Sequence, residues 1–532
     1  MLIKKLIIRE DEGGNFHGHR PEVVEKVIKE VLNLFRLPLY DEAAEKAKQW
    51  ALYTSRAPLP EPVGEVWEVC HTITAEEPDN PDTRITVTTT FIRDGRESQP
   101  VTGESAADEA AKAAVHRLVK LNFYNILIND SIAKDLNIEE APWGILHGVR
   151  PTKIVHHALD RGSSREAVID MLRRDYGAGT EKSEMITDLA IRQRPFLAQT
   201  DEKTVSIYVG IPFCLTRCLY CSFPAYILPG REGLQRFWQA MTADIKAARE
   251  AVEKYGFKVQ NVYIGGGTPT ALPNDMFEQL LQAVETNFIT DDTIEFTVEA
   301  GRPDSMSLEK IGSMSRHGVN RVSVNPQTMQ LKTLRRIGRR HTPRDIAAMY
   351  HLLRGLGDFS INMDLIIGLP GETTAEVADT MAQLEPLKPD DITVHALSLK
   401  RGSRLAMHIG DYELPDDEEA QKMFAVARDK IESWGLHPYY LYRQGYQRGE
   451  LENVGFCRPG AESMYNIQIM EERQTIIGIG GAATTKVVDP ATGVMRACFN
   501  AKELSVYLDR IDGYIQRRAD FLAAAYDIKT QE

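Results

Sequence analysis

The sequence predicts an α/β protein whose centre is a partial (β/α)6 barrel, preceded by an α+β domain and followed by an α+β domain or cap. Six short runs rich in β-branched residues each lead into a helical stretch, which favours parallel strands joined by right-handed crossovers. The runs are evenly spaced and no glycine fingerprint of a dinucleotide fold accompanies them, so a barrel is favoured over a doubly wound sheet. The runs are residues 205–213, 259–267, 293–301, 318–326, 359–370 and 391–399.

The pattern of the sequence changes near residues 200 and 413. These changes divide the 532 residues into three predicted domains, which are residues 1–200, 201–412 and 413–532. Three domains agree with a usual size of about 150 residues each.

The first domain alternates between helical and β-rich segments. A helix is predicted for residues 21–36 after Pro21, and a β-hairpin for residues 65–75 and 84–93. A second helix is predicted for residues 105–128 with Ser105 as its N-cap, and a third for residues 164–175. The Gly- and Pro-rich stretch at residues 142–153 is predicted to be a loop.

The last domain opens with Pro415 and four acidic residues, 416–419. Carboxylates in a first turn are favoured by the helix dipole, so a helix is predicted to begin here. An aromatic segment at residues 438–446 and a Gly-rich segment at residues 476–485 follow.

Composition and charge restrict the class of protein. The chain carries 76 acidic and 63 basic residues, a net charge of −13, which argues against a nucleic-acid or anionic-membrane partner. One short segment, residues 335–340, is densely basic, and it can be interpreted as a solvated helix face or as a local binding site. No apolar run is long enough to span a membrane, and the N-terminal segment turns acidic too early for a secretory signal. Six cysteines are no disulfide scaffold, so a reducing cytoplasm is the expected location. The basic cluster consists of Arg335, Arg336, Arg339 and Arg340.

Three of the six cysteines, Cys214, Cys218 and Cys221, lie within eight residues just after the first predicted strand. Thiolates are the usual ligands of iron–sulfur clusters, and three of them would leave one iron of a four-iron cluster open to a ligand. A structural zinc site is the alternative, but it needs a fourth Cys or His nearby. No histidine lies between His157 and His317. Barrel active sites lie at the C-terminal ends of the strands, which is where this loop is predicted.

The spacing CxxxCxxC with Tyr220 before the third cysteine resembles the signature of the radical S-adenosylmethionine (SAM) superfamily. The resemblance implies a 4Fe–4S cluster on Cys214, Cys218 and Cys221, with SAM on the open iron. One electron from the cluster then cleaves the sulfonium and yields a 5′-deoxyadenosyl radical. The protein would position these groups and exclude water and oxygen.

Four motifs together are similar to the oxygen-independent coproporphyrinogen III oxidase family: YVGIPFCxxxCxYC, GGGTPT, VNRVSVxxQ and NMDLIIGLPGET. The similarity covers roughly residues 204–485, and the C-terminal part is most like the HemZ branch. The polar residues at the predicted strand ends also favour a binding site, because an unpaired buried carboxylate is costly. Carried over by position, the residues implied to line the SAM site are Tyr208, Tyr220, Gly266, Gly267, Thr268, Glu299, Gln327, Arg339, Asp364 and Ile366.

The resemblance implies oxidative decarboxylation of two propionates of coproporphyrinogen III, with a reductant such as flavodoxin or ferredoxin as electron donor. Three positions depart from the family: Phe223 replaces a further cysteine of the oxidases, LENVGF stands where haem carriers have an HNxxYW-like motif, and Asn325-Pro326 ends the fourth run. A haem carrier on the same fold and a radical enzyme with another substrate are the alternatives. Carboxylates of a porphyrinogen need cationic partners, for which the candidates are Arg401, Arg404 and Arg443.

Overall fold

A computed structural model describes residues 3–10, 21–35, 37, 39, 64–77, 80, 83–105, 109–146, 148, 150–400, 402–444, 451–490 and 492–527. Contacts divide the chain into two compact units. The first contains Met1–Gly148 with Val155–Asp188, and the second contains Val149–Ile154 with Leu189–Glu532. The boundaries of the three predicted domains remain a prediction.

The first unit contains a five-stranded sheet. Its strands are β1 (Ile3–Glu10), β2 (Glu65–Ala75), β3 (Ile85–Arg93), β4 (Arg96–Glu97) and β5 (Val101–Glu104), in the order β1-β2-β3-β4 with β5 also paired to β3. Strands β2 and β3 form the predicted antiparallel hairpin. The unit's core is aromatic: Trp67 and Phe91 pack edge to face with ring centres 4.8 Å apart, and Phe123 packs against Phe91. The helices over this part of the chain are Pro21–Leu34, Ala111–Asn129, Thr152–Asp160, Arg165–Tyr176 and Thr180–Leu197.

The predicted N-cap at Ser105 is wrong. The helix begins later, at Ala111, and Ser105 instead extends the edge of β5. Its backbone N–H donates to the Ile85 carbonyl at 2.8 Å, and its hydroxyl accepts from the Ile85 N–H at 2.9 Å. A serine hydroxyl can serve either a cap or a strand, and here the neighbouring strand takes it. By contrast, Ser164 does cap the helix Arg165–Tyr176, where its hydroxyl accepts from the Ala167 N–H.

The second unit is built on an eleven-stranded sheet. All six predicted runs form parallel strands at its centre, in the order β13-β12-β11-β10-β9-β6, which confirms the predicted β/α architecture. The sheet is open in the described residues, as expected of a partial barrel. Its parallel strands are β6 (Thr204–Ile211), β9 (Lys258–Gly266), β10 (Glu295–Glu299), β11 (Arg321–Ser323), β12 (Ser360–Ile367) and β13 (Asp391–Ala396); the short pair β7 (Phe213–Cys214) and β8 (Tyr226–Ile227) lies apart.

Strands from the C-terminal part of the chain extend both sides of this sheet. β15 pairs antiparallel with β13 and with β14 on one side, while β16 pairs parallel with β6 and leads to β17 and β18 on the other. These strands are β14 (His437–Tyr442), β15 (Asn453–Cys457), β16 (Thr475–Ile479), β17 (Thr484–Val488) and β18 (Met495–Phe499).

Helices follow the strands throughout the second unit. The acidic helix predicted after Pro415 is confirmed as Asp417–Ser433, with the Asp416 side chain accepting from the Glu419 N–H. In the described residues, no helix is both long and apolar enough to cross a bilayer. The helices of this unit are Arg231–Tyr255, Asn274–Phe288, Leu308–Arg316, Leu331–Arg336, Pro343–Leu356, Thr374–Leu384, Arg404–Met407, Asp417–Ser433, Met464–Glu471, Leu504–Asp509 and Ile511–Tyr526.

Candidate active site at the cysteine loop

A cavity of about 510 Å³ lies at the C-terminal ends of the parallel strands. Its volume falls in the range of small-molecule sites, about 300–1,000 Å³. The structure brings together in its wall all thirteen residues that the sequence predicts to hold the cluster or SAM: Cys214, Cys218, Cys221, Tyr208, Tyr220, Gly266, Gly267, Thr268, Glu299, Gln327, Arg339, Asp364 and Ile366.

The cysteine loop is held by backbone hydrogen bonds to the segments that follow β11 and β13. The Leu219 N–H donates to the Ile337 carbonyl at 2.9 Å, and the Leu405 N–H donates to the Leu219 carbonyl at 2.9 Å. Inside the cavity, the Cys214 Sγ lies 3.4 Å from the Thr268 Oγ1. The loop is therefore anchored on both flanks while its three sulfur atoms face one space.

The three thiols fit an iron–sulfur cluster better than a single metal ion. A zinc ion bound by thiolates lies about 2.3 Å from each sulfur, so its ligand atoms must lie close to one another. Among the described residues, the cysteine trio is not one of the sets whose ligand atoms all lie within 4.8 Å of one another. Burial raises the pKa of the Cys214 and Cys221 thiols, so a metal centre must supply the charge that deprotonates them.

The glycines at the end of β9 let neighbouring segments approach closely. A Cβ on Gly267 would lie 2.5 Å from the Phe213 carbonyl oxygen, and one on Gly265 would lie 2.8 Å from the Glu299 carboxyl carbon. Gly266 has φ +109°, which a side chain would strain. The Gly267 N–H donates to the Ile211 carbonyl at 2.8 Å. The glycine run therefore packs this turn against the start of the cysteine loop.

Glu299 ends β10 inside the cavity. Its carboxylate accepts from the Tyr263 hydroxyl at 2.6 Å and from the Gly266 N–H at 3.2 Å. Burial raises the pKa of this carboxyl to about 7, and the nearby Asp364 charge adds to the effect. Glu299 therefore exchanges between charged and neutral forms near neutral pH, a property that clusters at functional sites.

Asp364, in the interior strand β12, is held by two asparagine amides. Asn325 Nδ2 donates to one carboxylate oxygen at 2.7 Å and Asn362 Nδ2 to the other at 2.8 Å, while His395 Nε2 lies 3.7 Å away. Gly301 leaves the room for Asn325, because a Cβ there would lie 2.7 Å from the Asn325 amide nitrogen. The departure at Asn325 thus serves to position the Asp364 carboxylate.

Gln327 has the left-handed backbone conformation that non-glycine residues rarely adopt, with φ +64°. Two hydrogen bonds to β12 hold it there: its N–H donates to the Asp364 carbonyl and its carbonyl accepts from the Ile366 N–H, each at 2.9 Å. Backbone strain of this kind costs about 1–3 kcal/mol and concentrates at functional sites. The fold maintains this conformation in the wall of the cavity.

Buried cations lie against the cysteine loop. Arg339 is only 9% exposed; its guanidinium donates to the Gly301 carbonyl at 3.0 Å and to the Tyr220 hydroxyl at 3.2 Å. Its Nε has no partner among the described residues and remains free for a ligand. Arg302, whose Nη1 donates to the Thr216 carbonyl at 3.0 Å, forms an ion pair with Asp304.

A wall of tyrosines was not anticipated from the sequence. The Tyr263 and Tyr465 rings stack with centres 4.4 Å apart, Tyr208 stacks beside both, and Tyr440 and Tyr442 form a second stacked pair. All five line the cavity. The alternation of Tyr440 and Tyr442 along β14 was a signal, but the meeting of all five depends on which elements are neighbours.

Of the three arginines predicted to meet substrate carboxylates, the two that the structure describes do not line the cavity. Arg404 lines a separate groove, and Arg443 lines neither space, while Arg401 falls outside the described residues. The cavity wall instead includes Arg217 and Lys400.

Comparison with known proteins places this site in a family. The family model "Radical SAM superfamily" matches residues 208–384. The oxygen-independent coproporphyrinogen-III oxidase-like protein HemZ of Bacillus subtilis is 40% identical over 395 residues, covering 73% of this chain and 79% of HemZ. The chain belongs to the oxygen-independent coproporphyrinogen III oxidase family of radical SAM proteins. A 4Fe–4S cluster and SAM are the cofactors of this family.

Other relatives in the family carry a different name. The heme chaperone HemW of Bacillus subtilis is 30% identical over 284 residues, covering 52% of this chain and 70% of HemW. The solved structure of coproporphyrinogen III oxidase HemN from Escherichia coli matches with TM-score 0.48 and 23% identity, over 61% of this chain and 72% of HemN. The roles of the individual cavity residues as cluster or SAM ligands remain a prediction.

Proposed function

We propose that this protein is a cytoplasmic radical SAM oxidoreductase that converts coproporphyrinogen III to protoporphyrinogen IX without oxygen. Two propionate side chains of the substrate become vinyl groups. When bound, the cluster and SAM would supply the radical that removes a hydrogen atom from the propionate β-carbon. Loss of carbon dioxide and transfer of one electron to an external one-electron acceptor would then leave the vinyl group. The 40% identity to HemZ supports this choice within the family.

The observation that carries the proposal is a pair of cations without acidic partners in the wall of the cavity. Among the described residues, neither Lys400 nor Arg217 has a carboxylate within ion-pair distance, although both line the same space as the cysteines. Burial lowers the pKa of Lys400, with the Cys221 charge opposing it. A substrate carboxylate would relieve that cost, because charge-assisted hydrogen bonds are among the strongest in proteins.

The chain's own groups would bind and shield the reactants. In this proposal, Glu299, Gln327 and Asp364 hold the amino-acid and ribose parts of SAM, and Arg339 offers its free Nε to a carboxylate. The stacked tyrosines provide flat apolar faces for the tetrapyrrole and keep water from the radical. Burial raises the pKa of Tyr263 well above its usual range, with the Glu299 charge adding, so this phenol stays protonated.

The test is an anaerobic assay with coproporphyrinogen III, SAM and dithionite, followed by mass spectrometry of the porphyrins. We expect stepwise loss of two carboxyl groups. Replacing Lys400 by Ala should raise KM for the porphyrinogen about tenfold or more, because a hydrogen bond to a charged group contributes about 1.5–3 kcal/mol. Lys332→Ala, at an exposed lysine outside the cavity, is the matched control. An unchanged KM in Lys400→Ala would contradict the carboxylate role.

Haem carriage is the second candidate, supported by the HemW relatives and by Phe223 in place of a cysteine. The same preparation distinguishes it. Stoichiometric haem binding, with no decarboxylated product under reducing anaerobic conditions, would favour the carrier and contradict the oxidase proposal.

A further inference from the structure

A groove on the outer side of the cysteine loop is strongly basic. Five arginines line it, together with His341, and no Asp or Glu is among its lining residues. This is an unusual concentration in a chain whose net charge is −13. The arginines are Arg217, Arg335, Arg339, Arg340 and Arg404.

The groove is built directly on the segment that carries the cysteines. Arg217 lies between Cys214 and Cys218 in the sequence, and its Nη2 donates to the Gly402 carbonyl at 2.9 Å. In the other direction, the Arg404 Nη2 donates to the Arg217 carbonyl at 3.2 Å. On the other flank, the Thr216 hydroxyl donates to the Gly338 carbonyl at 3.4 Å. The arginine-bearing segments therefore pack against the cysteine loop, and Thr216, Arg217 and Arg339 border both the groove and the cavity.

The exposed arginines of the groove are not neutralised within the described part of the chain. Arg217, Arg335, Arg340 and Arg404 are all exposed, and none of them has an ion pair there. Other arginines of the same unit do pair, such as Arg302 with Asp304 and Arg354 with Asp390. Like charges held together without counter-charges repel, so the fold keeps a surface that an anionic partner would stabilise.

Apolar side chains accompany the arginines. Ile227 and Leu331 line the groove, at 62% and 38% exposure, and Met407 ends the short helix that begins with Arg404 and is 64% exposed. Arginine and methionine beside apolar groups are typical of protein interfaces, whereas a site for a small free anion needs no such surroundings.

We propose that this groove docks a small acidic one-electron carrier protein, such as a flavodoxin or ferredoxin, beside the cluster loop. The inference rests on the proposed function, because reductive cleavage of SAM consumes one electron that the protein must obtain from a donor. The carrier would give up one electron, and its delivery to SAM through a bound cluster would break the S–C5′ bond and give methionine and the 5′-deoxyadenosyl radical. Without porphyrinogen, that radical would take a hydrogen atom from the medium to form 5′-deoxyadenosine. Complementary charge speeds such encounters and orients the partner.

The experiment compares a protein donor with a small-molecule donor in the iron-loaded full chain. Arg335→Glu and Arg340→Glu are suitable variants because neither residue lines the cavity. With reduced flavodoxin, each should raise KM for flavodoxin about tenfold in 5′-deoxyadenosine formation, since rim charges govern encounter. With dithionite, the rate should match wild type. Lys246→Glu, the same charge change at an exposed mid-helix position, should leave both rates unchanged.

Direct binding gives a second measurement that does not depend on turnover. The dissociation constant for flavodoxin, measured by calorimetry with wild type at several ionic strengths, should rise steeply with salt, and the two variants should flatten this dependence. Iron content and melting temperature check that the variants are folded.

Three outcomes would overturn the proposal. The first is a flavodoxin KM in both arginine variants equal to that of wild type. The second is a raised porphyrinogen KM of these variants with dithionite, and the third is their loss of binding to a single-stranded RNA probe with flavodoxin binding unaffected. The second outcome would assign the groove to substrate carboxylates and the third to nucleic acid. The flavodoxin KM is measured from 5′-deoxyadenosine formation without porphyrinogen, so failure of the oxidase proposal would leave that result valid, and the porphyrinogen KM comes from a separate assay.

Discussion

The two sides of the loop Cys214–Cys221 differ in charge and in exposure. The inner side faces a cavity in which Glu299 and Asp364 are held by amides, hydroxyls and a histidine, and in which Arg302 is paired. The outer side faces a groove of arginines that lack counter-charges among the described residues. The same eight residues thus separate a cavity whose carboxylates are held by internal hydrogen bonds from a groove whose exposed arginines are left for another molecule. Among the cations of the cavity wall, Lys400 and Arg217 also lack an acidic partner in the described part of the chain.

This difference indicates a division of labour across one loop. Polar groups that the protein itself orients suit a small ligand that must be held in one geometry. Exposed charges without internal partners suit a large partner that binds briefly and leaves. The comparison holds only if changes on the inner side affect cofactor binding.

The largest expected effect is loss of the cluster. Cys218→Ala should reduce iron from about four atoms per chain to near zero, and with it the broad visible absorption of a Cys-ligated cluster. Anaerobic reconstitution followed by iron and sulfide analysis measures this. Cys498→Ala, outside the cavity, should retain the cluster. Full iron content in Cys218→Ala would show that the loop does not bind the cluster.

A smaller effect is expected inside the cavity, where a substitution should weaken SAM binding and leave the iron content unchanged. In Asp364→Asn, the new amide N–H₂ would face the side-chain N–H₂ groups of Asn325 and Asn362, so a donor would meet donors where the carboxylate now accepts. Losing hydrogen bonds to a charged group costs about 1.5–3 kcal/mol, so SAM should bind about 10- to 100-fold more weakly. Equilibrium dialysis with labelled SAM measures the affinity, and unchanged iron content is the internal control. Wild-type affinity in this variant would remove Asp364 from the predicted site.

The smallest expected effect is a dependence of SAM affinity on pH. The pKa of the Glu299 carboxyl is about 7, so its charged form, which accepts hydrogen bonds from an amino group, gains population as pH rises. Between pH 6 and pH 7.5 the affinity for SAM should therefore increase about five- to tenfold. The same titration of Glu299→Gln should be flat. A slope of the opposite sign, or equal slopes in the two proteins, would exclude this role.

The sequence was sufficient for the order of the elements and the location of the site. Strand and helix periodicities are local, so all six parallel strands were predicted within a few residues of their observed bounds. The cysteine spacing and the strand-end positions of Glu299 and Asp364 also depend on short segments. By contrast, the cap at Ser105 was wrong, because a strand twenty residues earlier competed for the same hydroxyl.

What the sequence did not predict depends on which strands are neighbours. The Asn325–Asp364 pair joins the ends of β11 and β12, and the stack of Tyr263 on Tyr465 joins β9 to the helix Met464–Glu471. The placement of Arg404 in the groove rather than the cavity depends on the turn before its helix. Such contacts are set by three-dimensional packing and leave no periodic signal in one sequence.

The pairing of β6 with β16 has a consequence for how the protein is made. β6, which leads into the cysteine loop, has its outer edge covered by Thr475–Ile479, near the end of the chain. At typical synthesis rates, that edge stays bare for roughly 15 to 55 seconds after β6 leaves the ribosome. An unpaired strand edge invites aggregation. Protection of this strand therefore awaits the last part of the chain, and a chain that ended before Thr475 would leave this edge of β6 without its β16 partner.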